Sequence, residues 1–223
     1  MTTYTFPQNF FWGAAASGPQ TEGAQGKPHR SIWDSWHAEQ PERFYNGIGP
    51  QTVCNTLNRY KEDVALMKNI GFNSFRTSIQ WSRLIDNLET GEPNADAVQF
   101  YHDYFDEMIA NGIEPMINLY HFDMPEALQK RYGGFESKHV TDLFARFAAT
   151  AFRLFGHKIK YWITFNEPIV PVEGAICMTS TIRAKKTASW HHRWHSTSCW
   201  RMPKRYSATA SKICRARLAW CLT

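Results

Sequence analysis

Along the first three quarters of the chain, short apolar runs alternate with longer amphipathic stretches. The apolar runs predict four β-strands, over Phe10–Ser17, Phe72–Ile79, Glu114–Tyr120 and Lys160–Phe165. Their regular alternation with amphipathic segments is typical of βα units, in which each strand is followed by a helix. The pattern therefore predicts an α/β fold built on a parallel sheet.

The amphipathic stretches predict the helices. Three long helices and one short one are predicted, over Thr56–Ile70, Ala95–Asn111, Ser137–Phe155 and Pro125–Lys130. Gly71, Gly112 and Gly156 follow the long helices, and glycine readily adopts the backbone conformation that ends a helix. Ser137 stands where a side-chain oxygen can cap the first turn. The small residues of the first strand indicate that another element approaches it closely.

Polar and aromatic side chains accumulate near the carboxyl ends of the predicted strands. Arg76 lies in the second strand, His121 follows the third, and Asn166 and Glu167 follow the fourth. In a parallel sheet or barrel, the loops at this edge converge and carry the functional site. A single polar residue here would be explained as a loop cap, but the same feature at several strand ends favours a site.

Glu167 is the strongest candidate for chemistry. A carboxyl group at this edge among aromatic residues is expected to be poorly solvated, which raises its pKa and suits a general acid. Its position alone is equally compatible with a surface glutamate before the turn-forming Pro168.

Several segments resemble one known enzyme family. The string Thr164–Pro168 resembles the acid/base signature of glycoside hydrolase family 1, the retaining β-glucosidases and 6-phospho-β-glucosidases. Further segments resemble that family in the same order: Phe6–Ala15, Gln20–Gly23, Asn58–Asp63, Phe75–Ile79, Trp81–Arg83, Tyr120–Pro125 and Tyr132–Phe135. The ordered set covers nearly all of Tyr4 to Gly174, so it is far more specific than a lone Asn-Glu-Pro.

The resemblance implies both a fold and a reaction. The fold would be an incomplete TIM (β/α)8 barrel, of which this chain holds about the first four βα units. The reaction would be hydrolysis of β-glucosides, more specifically 6-phospho-β-glucosides, without a metal or organic cofactor. By resemblance, Glu167 is the acid/base and Asn166 contacts the sugar 2-hydroxyl. Gln20 and His121 would bind other hydroxyls, and Arg76 would keep the nucleophile ionised.

One essential group is missing from this set. Retaining hydrolysis needs two carboxyl groups about 5 Å apart, one as acid/base and one as nucleophile. The chain has no Thr-Glu-Asn-Gly-like string, from which the family takes its nucleophile, and no acidic residue follows Glu173. Residues 1–174 are therefore expected to form the N-terminal half of a family barrel that is inactive on its own. Half a barrel also leaves an unpaired strand edge, which favours aggregation.

Composition divides the chain at Gly174. All 20 Asp and Glu residues precede this point, so residues 1–174 carry a charge of −5 and residues 175–223 carry +10. Ten basic residues and four tryptophans in the tail suggest an alternative, a nucleic-acid-binding or interaction protein. A metal site is a second alternative, but the spacing of its candidate ligands matches no paired-ligand pattern; these are His191, His192, His195 and Cys199.

A single-base loss near the Gly174 codon explains the tail more simply. Codons permitted for the tail, read in a shifted frame, restore acidic residues, glycine and helical periodicity. Residues 175–223 are accordingly expected to be non-homologous and poorly ordered, and their charge then carries no information about partners.

The remaining sequence features bear on localisation. No run of 18 apolar residues occurs, which argues against a membrane-spanning helix. The N-terminus lacks the basic and apolar regions of a secretory signal. We therefore expect a cytoplasmic protein with a sugar substrate, without a membrane or nucleic-acid partner, and of undetermined oligomeric state.

Overall fold

The computed structural model describes residues 3–170 and the backbone of residues 217–219. The predicted metal-ligand candidates and nearly all of the basic tail lie outside the described residues. Within the described part of the chain, no helix is long and apolar enough to cross a membrane.

The strands form one parallel sheet and one small hairpin. In chain order they are β1 (Gly13–Ala15), β2 (Ser74–Ser78), β3 (Ile85–Asn87), β4 (Glu92–Pro93), β5 (Glu114–Tyr120), β6 (Tyr161–Phe165) and β7 (Arg217–Ala219). Parallel pairing gives the order β1-β2-β5-β6-β7, while β3 and β4 pair antiparallel. The predicted parallel α/β architecture is confirmed.

Seven α-helices occur in the described residues. They are α1 (Gly18–Thr21), α2 (Ile32–Glu39), α3 (Thr56–Asn69), α4 (Trp81–Leu84), α5 (Ala95–Ala110), α6 (Glu126–Tyr132) and α7 (Lys138–Phe155). The ends of α3 and α5 agree with prediction, and the glycines beyond them, Gly71 and Gly112, have φ values of 87° and 76°. Ser137 does occupy the N-cap position of α7, but its side chain makes no capping hydrogen bond.

The first strand is shorter than predicted. Only three residues of the predicted Phe10–Ser17 run pair with β2, and Phe10, Phe11 and Trp12 are exposed instead of entering a core. The expected close approach does occur, because a Cβ on Gly13 would lie 1.9 Å from the carbonyl oxygen of Ser74. The aromatic rings before β1 pack on one another, with 4.7 Å between the centroids of Phe10 and Trp12.

The two faces of the sheet differ because side chains alternate along each strand. Ile117 and Trp162 are neighbours in register and fully buried, and the core they belong to includes residues of α3, α5 and α7. On the opposite face, Arg76 is in register with Met116, and both are only half-buried. This second face and the strand ends are where polar side chains can meet a ligand.

Candidate functional site

The carboxyl ends of four strands meet along one edge of the sheet. Because β1, β2, β5 and β6 are consecutive neighbours and all parallel, the loops that follow them start side by side. Tyr120 is paired with Phe165 at the ends of β5 and β6. The residues that follow, His121 and Asn166, are therefore adjacent, as the sequence predicts.

Asn166 is fixed by two hydrogen bonds. Its backbone N–H donates to the carbonyl oxygen of Tyr120 at 2.9 Å. Its side-chain Oδ1 accepts a hydrogen bond from the guanidinium of Arg76 at 2.5 Å, across 90 residues of sequence. Since Arg76 occupies the oxygen of the buried amide, the Nδ2 group is the part of Asn166 left to donate to a ligand.

His121 is a half-buried imidazole beside a positive charge. Burial, followed by the charge of Arg76, lowers the pKa of His121 to about 4. The ring is therefore neutral at pH 7, with one nitrogen donating and the other accepting. The next residue, Phe122, has a φ of 64°, which is uncommon for a bulky side chain. The centroids of the His121 and Phe122 rings lie 5.2 Å apart in an edge-to-face arrangement.

Asp123 connects the loops that follow β2 and β5. Its fully buried carboxyl group accepts the backbone N–H of His121 at 3.1 Å and that of Trp81 at 2.8 Å. Burial raises the pKa of Asp123 to about 6, although both N–H groups oppose the shift. In the sequence Asp123 belongs to the polar segment that follows the third predicted strand, but no role was predicted for it.

Gln20 lies in α1, the short helix within the loop after β1. Its side chain is exposed, and its Oε1 accepts a hydrogen bond from the hydroxyl of Ser17 at 2.7 Å. The loop is anchored to the end of β2, because Gly18 donates its backbone N–H to the hydroxyl of Ser78 at 2.8 Å. The described hydrogen bonds thus place Gln20 on a loop beside β2, but none of them joins its side chain to Arg76 or His121.

A buried polar network lies beneath that loop, centred on Glu22. The Glu22 carboxylate accepts hydrogen bonds from Arg83 Nε at 2.8 Å and Gln80 Nε2 at 2.7 Å, and from the Tyr101 hydroxyl at 3.1 Å. All four side chains are almost completely buried. Burial raises the pKa of Tyr101, so its hydroxyl stays protonated and continues to donate. The network fixes the backbone two residues after Gln20.

The rest of the Arg83 guanidinium also bonds to this loop. It donates to the backbone carbonyls of Gly23 and Gln25, each at 2.7 Å. The segment Trp81–Arg83, which follows β2, is buried in the folded interior. Trp81 stacks on Phe147 with 5.5 Å between ring centroids.

Glu167 is placed next to Asn166, but the expectation that it is poorly solvated is wrong. Its side chain is exposed, because it lies two residues beyond the end of β6 and the described chain packs nothing over it. Its φ of 40° falls in the left-handed region, which is rare for residues other than glycine and recurs at functional sites.

The predicted residues thus fall into one joined group and two separate positions. Arg76, His121 and Asn166 are joined by hydrogen bonding and by charge. Glu167 adjoins the group along the chain, and Gln20 lies on the next loop. No group of three or more metal-ligating side chains that could hold an ion occurs among residues 3–170.

A separate cavity lies at the opposite end of the strands. Its volume is about 740 Å³, and its lining includes Phe11, Asn73, Glu114, Lys160 and Tyr161. The cationic group of Lys160 is already paired with the carboxylate of Glu114 at 2.5 Å. The cavity contains none of the predicted site residues.

Comparison with known proteins points to a single family. The model of glycosyl hydrolase family 1 matches residues 2–191. The 6-phospho-β-glucosidase GmuD of Bacillus subtilis is 52% identical over 173 residues, which cover 77% of this chain and 37% of that protein. Beta-glucosidase 24 of Oryza sativa subsp. japonica is 42% identical over 166 residues, covering 73% of this chain and 33% of that protein.

Solved structures agree with the sequence matches. The family 1 β-glucosidase from Thermotoga maritima superposes with a TM-score of 0.82 at 30% identity, covering 96% of this chain and 48% of the other. The chain therefore spans between about a third and a half of the length of these relatives.

Proposed function

Because the chain belongs to glycosyl hydrolase family 1, we propose that the strand-end cluster of Arg76, His121, Asn166 and Glu167 is the acid/base side of a retaining β-glycosidase centre. In this proposal Glu167 protonates the glycosidic oxygen, and Asn166 donates from Nδ2 to the sugar 2-hydroxyl. The observation that carries it is the hydrogen bond from Arg76 to Asn166 Oδ1, which orients the amide beside the acid.

The exposure of Glu167 agrees with the role of an acid/base. A group that protonates a leaving oxygen must be reached by the substrate, and Glu167 is exposed at the carboxyl edge of the sheet. Protonation and the later activation of water are two uses of one carboxyl group in retaining hydrolysis. The neutral imidazole of His121 and the amide of Gln20 would bind further hydroxyls, and Arg76 would lie beside the nucleophile.

The sugar class proposed is a β-glucoside, and specifically the 6-phosphorylated form. In its favour, the relative described as a 6-phospho-β-glucosidase is 52% identical, whereas the β-glucosidase of rice is 42% identical.

We further propose that the 223-residue chain by itself does not turn over substrate. Double displacement needs a second carboxylate about 5 Å from the first, and no Asp or Glu follows Glu173. Two acidic groups of the site loops are committed to the fold, since Glu22 is bonded by three side chains and Asp123 by two backbone amides. The expected architecture is the first part of a (β/α)8 barrel.

Two measurements test these proposals. Purified chain should give no release of nitrophenol from nitrophenyl β-glucoside or from its 6-phosphate, and measurable turnover would overturn the proposed inactivity. The site itself is tested in a chimera that joins residues 1–170 to the remainder of the Bacillus relative. The chimera should be active, with a preference for the phosphorylated substrate.

Substitution in the chimera then tests the role of Glu167. Glu167→Gln should lower kcat by about 10²–10⁴, the usual contribution of a general acid/base. Glu92→Gln, the same change at an exposed residue of the β3–β4 hairpin, should leave kcat unchanged. An active chimera in which both variants behave alike would refute the assignment of Glu167.

A further inference from the structure

Asn118 is a buried polar residue in the middle of the site-facing strand. It lies in β5, is fully buried, and is in register with Ser78 on one side and Ile163 on the other. Because side chains alternate along a strand, it projects from the same face as Arg76, which is in register with Met116. Neither the predicted chemistry nor the core uses this amide.

The orientation of the Asn118 amide follows from its backbone partners. Its Oδ1 accepts the backbone N–H of Tyr120 at 3.4 Å, and its Nδ2 donates to the carbonyl oxygen of Tyr120 at 3.1 Å. An N–H group can only donate and a carbonyl can only accept, so the two contacts agree on which end is nitrogen. The same Nδ2 lies 3.3 Å from Nδ1 of His121.

The contact between Asn118 Nδ2 and His121 Nδ1 determines which ring nitrogen carries the imidazole proton. An amide nitrogen is only a donor, so a hydrogen bond to it requires a lone pair on Nδ1. A neutral imidazole with a lone pair on Nδ1 carries its proton on Nε2. Within the described residues, Nε2 has no hydrogen-bond partner, which leaves its N–H available to a ligand.

We propose that Asn118 is a positioning residue that holds His121 as the Nε2–H tautomer and so makes the imidazole a donor to an acceptor oxygen of the ligand. That this oxygen belongs to a sugar hydroxyl rests on the proposed function. The tautomer itself does not depend on any substrate.

The charges around His121 agree with a neutral ring. Arg76 on β2 is the charged group whose field, after burial, lowers the pKa of His121 to about 4. On the loop of His121 itself, the Asp123 carboxyl contacts only the backbone N–H of that residue. Asn166, at the end of β6, is uncharged. At pH 7 the ring therefore has one proton, and Asn118 selects its site.

The test is long-range ¹H–¹⁵N NMR of the histidine rings in the full chain, which distinguishes protonated from unprotonated ring nitrogens. In the unsubstituted chain His121 should carry its proton on Nε2 at pH 7. A proton on Nδ1 would overturn the proposal. The rings of His102 and His157, which lie 6.1 Å apart and away from the site, serve as internal references.

Asn118→Asp is the decisive variant, because a carboxylate can only accept. The proton of His121 should move to Nδ1, and its pKa should rise by about one unit or more beside the new negative charge. A merely structural asparagine would not move the proton. A folded Asn118→Asp chain with the proton still on Nε2 and an unchanged pKa would refute the inference.

Two further variants keep the result interpretable. Asn118→Ala removes the donor without adding charge, so the ¹⁵N shifts of His121 should move toward those of a ring that exchanges between both tautomers. Shifts identical to those of the unsubstituted chain would count against the proposal.

Asn87→Asp is the matched control. The Oδ1 of Asn87 only accepts hydrogen bonds, from the backbone N–H groups of Glu89 and Thr90, so the spectrum of His121 should not change in this variant. An inactive chimera would count against the proposed glycosidase while leaving the tautomer result standing.

Discussion

Glu22 provides the sharpest test of how the site loop is held. The change is Glu22→Gln, which keeps the shape of the side chain but removes its charge and turns one acceptor into a donor. The carboxylate now satisfies Arg83, Gln80 and Tyr101. In the variant the buried Arg83 charge would lose its carboxylate partner and keep only neutral acceptors, the carbonyls of Gly23 and Gln25 and the one oxygen of the new amide.

The expected loss follows from the burial of the pair. Arg83 and Glu22 are 1% exposed, so water cannot replace the lost partner. Removing one member of a buried ion pair costs about 3–5 kcal/mol of unfolding free energy. With a urea m-value of about 2 kcal/mol/M, the denaturation midpoint should fall by roughly 2 M.

Urea denaturation followed by circular dichroism measures the effect, with a milder variant beside it. Tyr101→Phe removes one hydroxyl from the network and should cost about 1–2 kcal/mol, which keeps the chain folded if Glu22→Gln does not. The control is Glu62→Gln, which breaks the exposed ion pair with Arg59 and should leave the midpoint unchanged. If a folded Glu22→Gln chain shows the same midpoint as the control, the buried charge is not held by this network and the reasoning fails.

Two other predictions concern the sheet and the site loop. Gly13→Ala would place a Cβ 1.9 Å from the carbonyl oxygen of Ser74, so β1 must separate from β2 at a cost of about 1–3 kcal/mol; an unchanged midpoint would contradict their close approach. Asp123, with a folded pKa of about 6 against an unfolded value of 3.8, stabilises the fold fully below pH 3.8, and this contribution is lost as the pH rises through 6. The stability of the unsubstituted chain relative to Asp123→Asn should therefore fall by about 2 kcal/mol from pH 4 to pH 7, and a pH-independent difference would refute the shift.

Periodicity predicted the elements whose apolar side chains enter the core. The bounds of α3, α5 and β5 agree with prediction because each shows a continuous apolar pattern closed by a glycine or a turn. The helix α2 was missed, although Ser31 and Asp34 form a capping box at its start. The segment between them and Gln40 has too few buried residues for periodicity alone to reveal it.

The hydrophobic pattern of a strand also does not show which of its side chains another part of the protein packs against. The aromatic run Phe10–Trp12 reads as part of a buried strand, yet all three side chains are exposed in the described structure. Burial of a given aromatic depends on what packs over it, and that information is not local to the run.

The sequence predicted the three joined residues of the site, one inside β2 and two just beyond strand ends, and missed Asn118 inside β5. Arg76, His121 and Asn166 carry side chains whose chemistry is visible in the sequence. Asn118 lies in a strand of apolar residues. Its side chain contacts Tyr120 and His121, two and three residues further along, so these contacts depend on the path of the chain as it leaves β5. The burial of Asp123 likewise depends on the loop that follows β2.

The two left-handed residues at the strand ends, Phe122 and Glu167, lower the stability of the fold. Each costs about 1–3 kcal/mol in a conformation that glycine adopts freely. Glycine at either position would relieve that cost, but it would also remove the phenyl ring or the carboxyl group from the end of the strand. The chain therefore gives up some folding free energy at the two places where these side chains stand.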